Sequence, residues 1–274
     1  MKKSVLSILG VAIIIAIVFV SCMKNEEESA KQVDYSALKV AGNEHNKGLD
    51  YVYKELKTLK EKDEQNFKST IDIYETVKNS TKDFLKNNSE IVSTSNVDFA
   101  LNCANDAFNW IESIYNNSKD LSNSSEWYEN VENSLSPKQK ELLSLINEAI
   151  DNQNLDLDAT LLIMENVRNR ANIELNENER YVIISAIEIG TNSMVYWSEN
   201  IDEWANLFDN NKSIKAGWFN WKAVGGADIK GGVAGAVSGG ITGGVAGAGT
   251  GALAGGLGAS AGSVASQLWD HWTN

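Results

Sequence analysis

The chain has 274 residues, a formal net charge of −13 and a pI of about 4.7, with 37 acidic against 24 basic side chains. Such an excess of carboxylates repels a phosphate backbone and excludes nucleic acid as a partner, while the length suffices for one sizeable core plus an appendage. The single proline, Pro137, leaves room for long uninterrupted helices, and Cys22 and Cys103 are the only cysteines.

Lys2 and Lys3 precede an apolar run from Val5 to Val20 that only Ser7 and Gly10 interrupt. This is the pattern of a secretory signal, and it falls short of the ~20 apolar residues a spanning helix needs. The run ends in Phe19-Val20-Ser21-Cys22. Those residues resemble the lipobox of bacterial lipoproteins, with Phe19 standing in place of the usual leucine. The resemblance implies residues 1–21 as signal peptide and lipidation of Cys22, with palmitate-type acyl chains anchoring the new N-terminus. An uncleaved anchor with an incidental Cys22 is the alternative. In Met23-Lys24-Asn25-Glu26-Glu27-Glu28 no Asp follows the cysteine. A lysine before acidic residues resembles the surface-export signal of Bacteroidota lipoproteins, and a solvated acidic tether over residues 22–35 is the plainer interpretation. The expected address is the cell envelope, as an outer-membrane lipoprotein displayed on the surface or facing the periplasm.

Residues 36–210 read as an α-helical body, because apolar residues recur three or four apart almost throughout. Leu49, Val52, Tyr53, Leu56 and Leu59 make one stripe; Phe67, Ile71, Tyr74, Val77 and Phe84 make another. Cys103 sits in a third with Phe99, Ala107, Trp110, Ile111 and Ile114, and so reads as a buried structural thiol. Ser136-Pro137-Lys138-Gln139 has the form of a capping box with proline in the first turn. Asp156 and Asn176, the latter with Glu179 three residues on, mark two further helix starts. The segment from Tyr181 to Ile189 is apolar on nearly every face, as in a helix buried on most of its surface, and Gly190-Thr191 is expected to interrupt it. No alternation long enough for a strand is present. The predicted fold is all-α, an antiparallel bundle of about six helices.

Gly42 to Tyr51, Leu135 to Gln139 and Tyr196-Trp197, together with the tail, resemble an uncharacterised family of Bacteroidota lipoproteins. That resemblance implies a layout and no activity.

Residues 211–230 form a Trp- and Lys-containing connector, 231–268 a glycine-rich tail, and 269–274 a Trp-containing C-terminus. Gly231, Gly235, Gly239, Gly243, Gly247, Gly251 and Gly255 fall on every fourth residue, beside a second row of Gly, Ala and Ser that starts at Gly232. Four-residue spacing lines each row along one helix face, where a second backbone can approach closely, as in helix pairs in lipid. No charge lies between Lys230 and Asp270. One straight helix over that run would extend ~58 Å, against a hydrocarbon core of ~30 Å. A hairpin turning near residues 247–251, with arms at about 231–246 and 252–268, fits better. Trp218 and Trp221 before the run and Trp269 and Trp272 after it read as interfacial anchors, with Lys212, Lys215, Lys222 and Lys230 on the wet side. The pattern resembles the glycine-zipper two-span segment of outer-membrane lipoproteins and the glycine-zipper tail of two-peptide bacteriocins. Few large apolar residues are available for insertion, so a hairpin packed against the body, or a low-complexity chain, are the alternatives.

Catalytic motifs are absent from the sequence: there is no HExxH, Cys pair, Walker loop or GxSxG. The two histidines are His45 and His271. Glu44-His45 near Asp50 has the residue types of a metal site, but a structural histidine is the plainer assignment. The sequence therefore predicts a non-enzymatic lipoprotein without cofactor or metal. Its tail associates with membrane lipid, or forms homo-oligomers through glycine faces that Gly243→Leu would break; a specific protein partner is not indicated. The alternatives are an antibacterial or pore-forming effector using the tail, and a soluble helical binding module in which the tail completes the bundle.

Overall fold

The computed structural model describes residues 35–62, 70–88, 92, 96–116, 122–208 and 220–273. Cys22, the signal segment and almost all of the tether lie outside these, as do Trp218, Lys212 and Lys215. The described residues form eight helices: α1 Ser36–Lys62, α2 Thr70–Asn87, α3 Val97–Asn116, α4 Ser122–Ser134, α5 Pro137–Asp151, α6 Leu157–Glu174, α7 Glu177–Phe208 and α8 Trp221–Thr273. The architecture is an all-α antiparallel bundle, as the periodicity predicts.

Helix starts follow the local chemistry. The Ser136 side chain accepts from the Gln139 N–H at 3.3 Å, and the Gln139 side chain accepts from the Ser136 N–H at 2.9 Å, which completes the capping box at Pro137. Asp156 caps α6 through the Ala159 N–H at 2.8 Å. Asn176 and Glu179 satisfy each other's backbone N–H groups at 3.0 and 3.3 Å ahead of α7.

The predicted break at Gly190-Thr191 does not occur; α7 runs through it. Gly190 marks a close approach. A Cβ there would stand 2.6 Å from Ile229 Cδ1 of α8 and 3.0 Å from Met164 Cε of α6. The missing side chain is what lets three helices meet.

Among the described residues, the one break in a long helix lies in α8, at Gly244 (φ 56°, ψ −141°). Glycine alone adopts such a backbone readily. The chain reverses here, one helical turn before the predicted turn at 247–251. The two arms then run antiparallel with glycine against glycine. A Cβ on Gly235 would collide with the Gly251 carbonyl, one on Gly239 with that of Gly247, and one on Gly231 with that of Gly255. These pairs step outward by four residues from Gly243, the middle member of its row, which has nothing within 4 Å.

Residues 247–267 are buried without exception. The second arm is the centre of the bundle rather than an appendage. It meets α1 at Gly48, whose Cβ would lie 2.6 Å from Leu257 Cδ2. It meets α3 at Gly258, where a Cβ would lie 2.8 Å from Ala104 Cα, and α7 at Gly256, where one would lie 2.7 Å from Ile189 Cγ2. The whole of α8 packs against α7, α3, α1, α2, α4 and α5. Helix α6 stays on the outside against α5 and α7, with Ile173 84% and Leu162 64% exposed.

Candidate functional site

Two features stand out from ordinary core packing: an open groove at one end of α1 and α7, and a polar junction sealed inside the bundle.

The groove encloses about 470 Å³ and is lined by Tyr53, Lys57, Lys60 and Glu61 of α1 and Glu203, Asn206 and Leu207 of α7. Its size falls within the range of small-ligand sites, ~300–1,000 Å³. The Tyr53 ring rests on Trp204 at 5.4 Å between centroids, and Trp204 on Trp197 at 5.1 Å. The aromatic floor is held from below. Trp204 Nε1 donates to the Tyr196 hydroxyl at 3.0 Å, and that hydroxyl donates to Asp50 Oδ1 at 3.0 Å. Desolvation and then the Glu203 carboxylate push the Tyr53 hydroxyl above its ordinary pKa, so it remains a neutral donor. Desolvation pushes Tyr196 up as well. The rim thus offers both charges over a rigid apolar base.

The junction brings together His45 of α1, Ser193 of α7, and Asp228 and Ser260 of the two arms of α8, each with essentially no exposure. His45 Nε2 lies 3.5 Å from Asp228 Oδ2. Ser193 and Ser260 both donate to that same oxygen, Ser260 at 3.1 Å. On its other side the ring donates from Nδ1 to Asn46 Oδ1 at 3.2 Å, and Asn46 Nδ2 donates to the Asn192 carbonyl at 3.0 Å. Burial lowers His45 to about 4 and raises Asp228 well above the usual carboxylate range.

The residue types match a nucleophile–base–acid set, but the order of contacts does not. Each serine donates to the carboxylate, so no hydroxyl is presented to the imidazole, and burial closes all three types of group to a substrate. Glu44 points elsewhere, pairing with Lys47 and accepting from Asn88 Nδ2 at 2.6 Å. Among the described residues no three metal-ligating side chains converge.

The candidate residues of the tail divide clearly. Gly231, Gly235, Gly239, Gly247, Gly251 and Gly255 pair within the chain, while Gly243 faces open space and makes no such pair. Trp221 is half-buried, with Lys222 Nζ 5.7 Å from its ring centre. Lys222 is itself buried rather than on a wet face, donating to the Asn152 and Leu155 carbonyls at 2.8 and 2.9 Å. Trp269 and Trp272 fall on the last turns of α8. Asp228, Ser193 and the Asp50–Tyr196–Trp204 chain are not singled out by sequence reasoning. The available signals are Gly42 and Gly48 bracketing His45, and Asp228 as a lone carboxylate in a run of small and apolar residues.

Comparison with known proteins finds no matching family, no significantly similar curated protein and no significantly similar solved structure. The resemblances to an uncharacterised family of Bacteroidota surface lipoproteins and to two-span glycine-zipper lipoproteins of the outer membrane are therefore corrected. Among the described residues no helix is long and apolar enough to cross a membrane. The expectation of a lipid-anchored, membrane-associating outer-membrane protein is corrected with them. It takes the tail's small-residue faces as available to lipid or to another chain, whereas the glycines of the row other than Gly243 are turned into the protein's own interior.

Proposed function

We propose that the chain is a non-catalytic helical binding module whose recognition site is the groove between α1 and α7. The observation that carries this is Tyr53, backed by the buried Trp204, in an opening rimmed by Lys57, Glu61 and Glu203. A rigid aromatic base with both charges at its edge suits a short peptide-like segment that carries an apolar side chain between charged ones. The buried His45–Asp228 junction meets no substrate and takes no part in this recognition.

In the same proposal the glycine rows act as an internal zipper. Residues 231–268 form a hairpin that closes the bundle, and homo-oligomers through glycine faces would have to separate arms already paired. The acidic surface keeps nucleic acid away.

Display of random peptides against the full chain tests the groove. Enriched peptides with one apolar residue flanked by charges, lost on Tyr53→Ser and re-selected with altered charge on Glu203→Lys, would support it. Absence of enrichment, or enrichment untouched by either change, would sink it.

A further inference from the structure

Asp228 and His45 are fully buried, and neither Asp228 Oδ1 nor His45 Nε2 has a hydrogen-bond partner. Two serine hydroxyls on Oδ2 are neutral donors and do not compensate a full negative charge away from water. The cation within reach is a protonated His45 ring, at 3.5 Å. Among charged groups on the packed helices, Glu44 is engaged with Lys47, Glu188 with Arg168, Asp50 with Tyr196, and Lys222 with two carbonyls. On α3 the buried Cys103 thiol is pushed up to about 12 and stays neutral. An ionised Asp228 beside a neutral ring leaves a bare charge in the core, and an imidazolium beside a protonated carboxyl does the same. Only states with one proton on the pair avoid it.

We propose that His45 and Asp228 share a single proton in the folded protein, and that its loss on the alkaline side of neutrality releases α8 from α1 and α7. The proton count is the same whether it rests on the ring or on the carboxyl. With Nδ1 donating to Asn46, an unprotonated Nε2 lies 3.5 Å from a protonated Asp228.

The sign follows from the unfolded chain, where the ordinary values are 6.5 for His45 and 3.8 for Asp228. Between about 4 and 6.5 the unfolded pair also holds one proton, on the histidine, so the pair makes stability flat with pH. The His45 contribution, lost as pH falls, cancels the Asp228 contribution, lost as pH rises. Above 6.5 the unfolded pair holds none and the folded pair one. Stability then falls as pH rises, by up to tenfold in the folding constant per pH unit, until the folded pair lets go.

Urea unfolding of the full chain across pH 4 to 9, with hydrogen exchange at pH 6 and 9, tests this. The wild-type folding constant should decline above about 6.5 more steeply than that of Asp228→Asn, by up to tenfold per unit, and α8 should lose protection before α5 and α6. Where Asp228→Asn fails to fold, His45→Gln serves: its lone carboxyl must take up the proton itself, so the decline should begin near pH 4 instead of 6.5. Parallel profiles for wild type and Asp228→Asn, an unmoved onset in His45→Gln, or uniform loss of protection across all helices would overturn the proposal.

Discussion

Gly235 on the first arm of α8 lies with its Cα against the carbonyl of Gly251 on the second, so close that neither position can carry a side chain. Alanine at Gly235 therefore has to push the paired arms away from each other along their length. We expect Gly235→Ala to destabilise the fold by ~3 kcal/mol, the upper range for overpacking a core, read as a lowered urea midpoint.

Gly243 and Gly244 are adjacent and should respond with opposite signs. Gly243 has open space around it, so Gly243→Ala should gain up to ~1 kcal/mol of helix propensity. Gly244 adopts φ 56° and ψ −141°, and Gly244→Ala should lose ~1–3 kcal/mol to backbone strain. Thermal melts of the two single variants decide it; equal shifts would mean the chain does not reverse at Gly244.

Tyr196→Phe removes the acceptor for Trp204 Nε1 and the donor to Asp50. Leaving the buried indole N–H unpaired should cost ~1–3 kcal/mol. In the same variant peptide binding at the groove should weaken, because Trp204 supports the Tyr53 ring. Unchanged affinity alongside lowered stability would show that the floor does not need that support.

Cys103 is 7% exposed, and its thiol is pushed up to about 12, first by burial and then by Asp106. Iodoacetamide at pH 8 should leave it unmodified in the native Cys22→Ser chain and alkylate it fully in urea. Fast native labelling would mean that α3 opens on the time scale of the reaction.

Ser136→Ala deletes one half of the capping box at α5 and should cost ~1 kcal/mol. The same helix end is tied to α7 by Gln139 Nε2, which donates to the Glu179 carbonyl at 3.0 Å. Gln139→Ala should accordingly exceed Ser136→Ala in effect.

Much of this fold is legible in the sequence because it is written in local chemistry. Ser136-Pro137, Asp156 and Asn176 act within four residues, and each begins a helix where it should. The apolar density from Tyr181 to Ile189 likewise corresponds to a helix buried on nearly every face. In the tail, glycines of one arm meet glycines of the other within the same chain. Four-residue spacing states that a backbone will come close, but not whose backbone. The missing clue is symmetry: a row of seven glycines with Gly243 at its middle pairs with itself when folded there. The junction is invisible for a different reason. His45, Ser193, Asp228 and Ser260 are brought together from three helices across more than two hundred residues, and no local pattern encodes such an encounter.

The arm at the heart of the bundle, residues 247–267, follows all the helices that surround it in the order of synthesis. Helices α1 to α7 thus leave the ribosome around a vacancy, with the inward faces of α1, α3 and α7 unmatched until the glycine arms arrive. At ~5–20 residues per second, that exposure lasts for seconds after α7 is complete. The chain is a vault whose keystone is set last, and nascent-chain quality control has its longest opportunity just before Gly244 emerges.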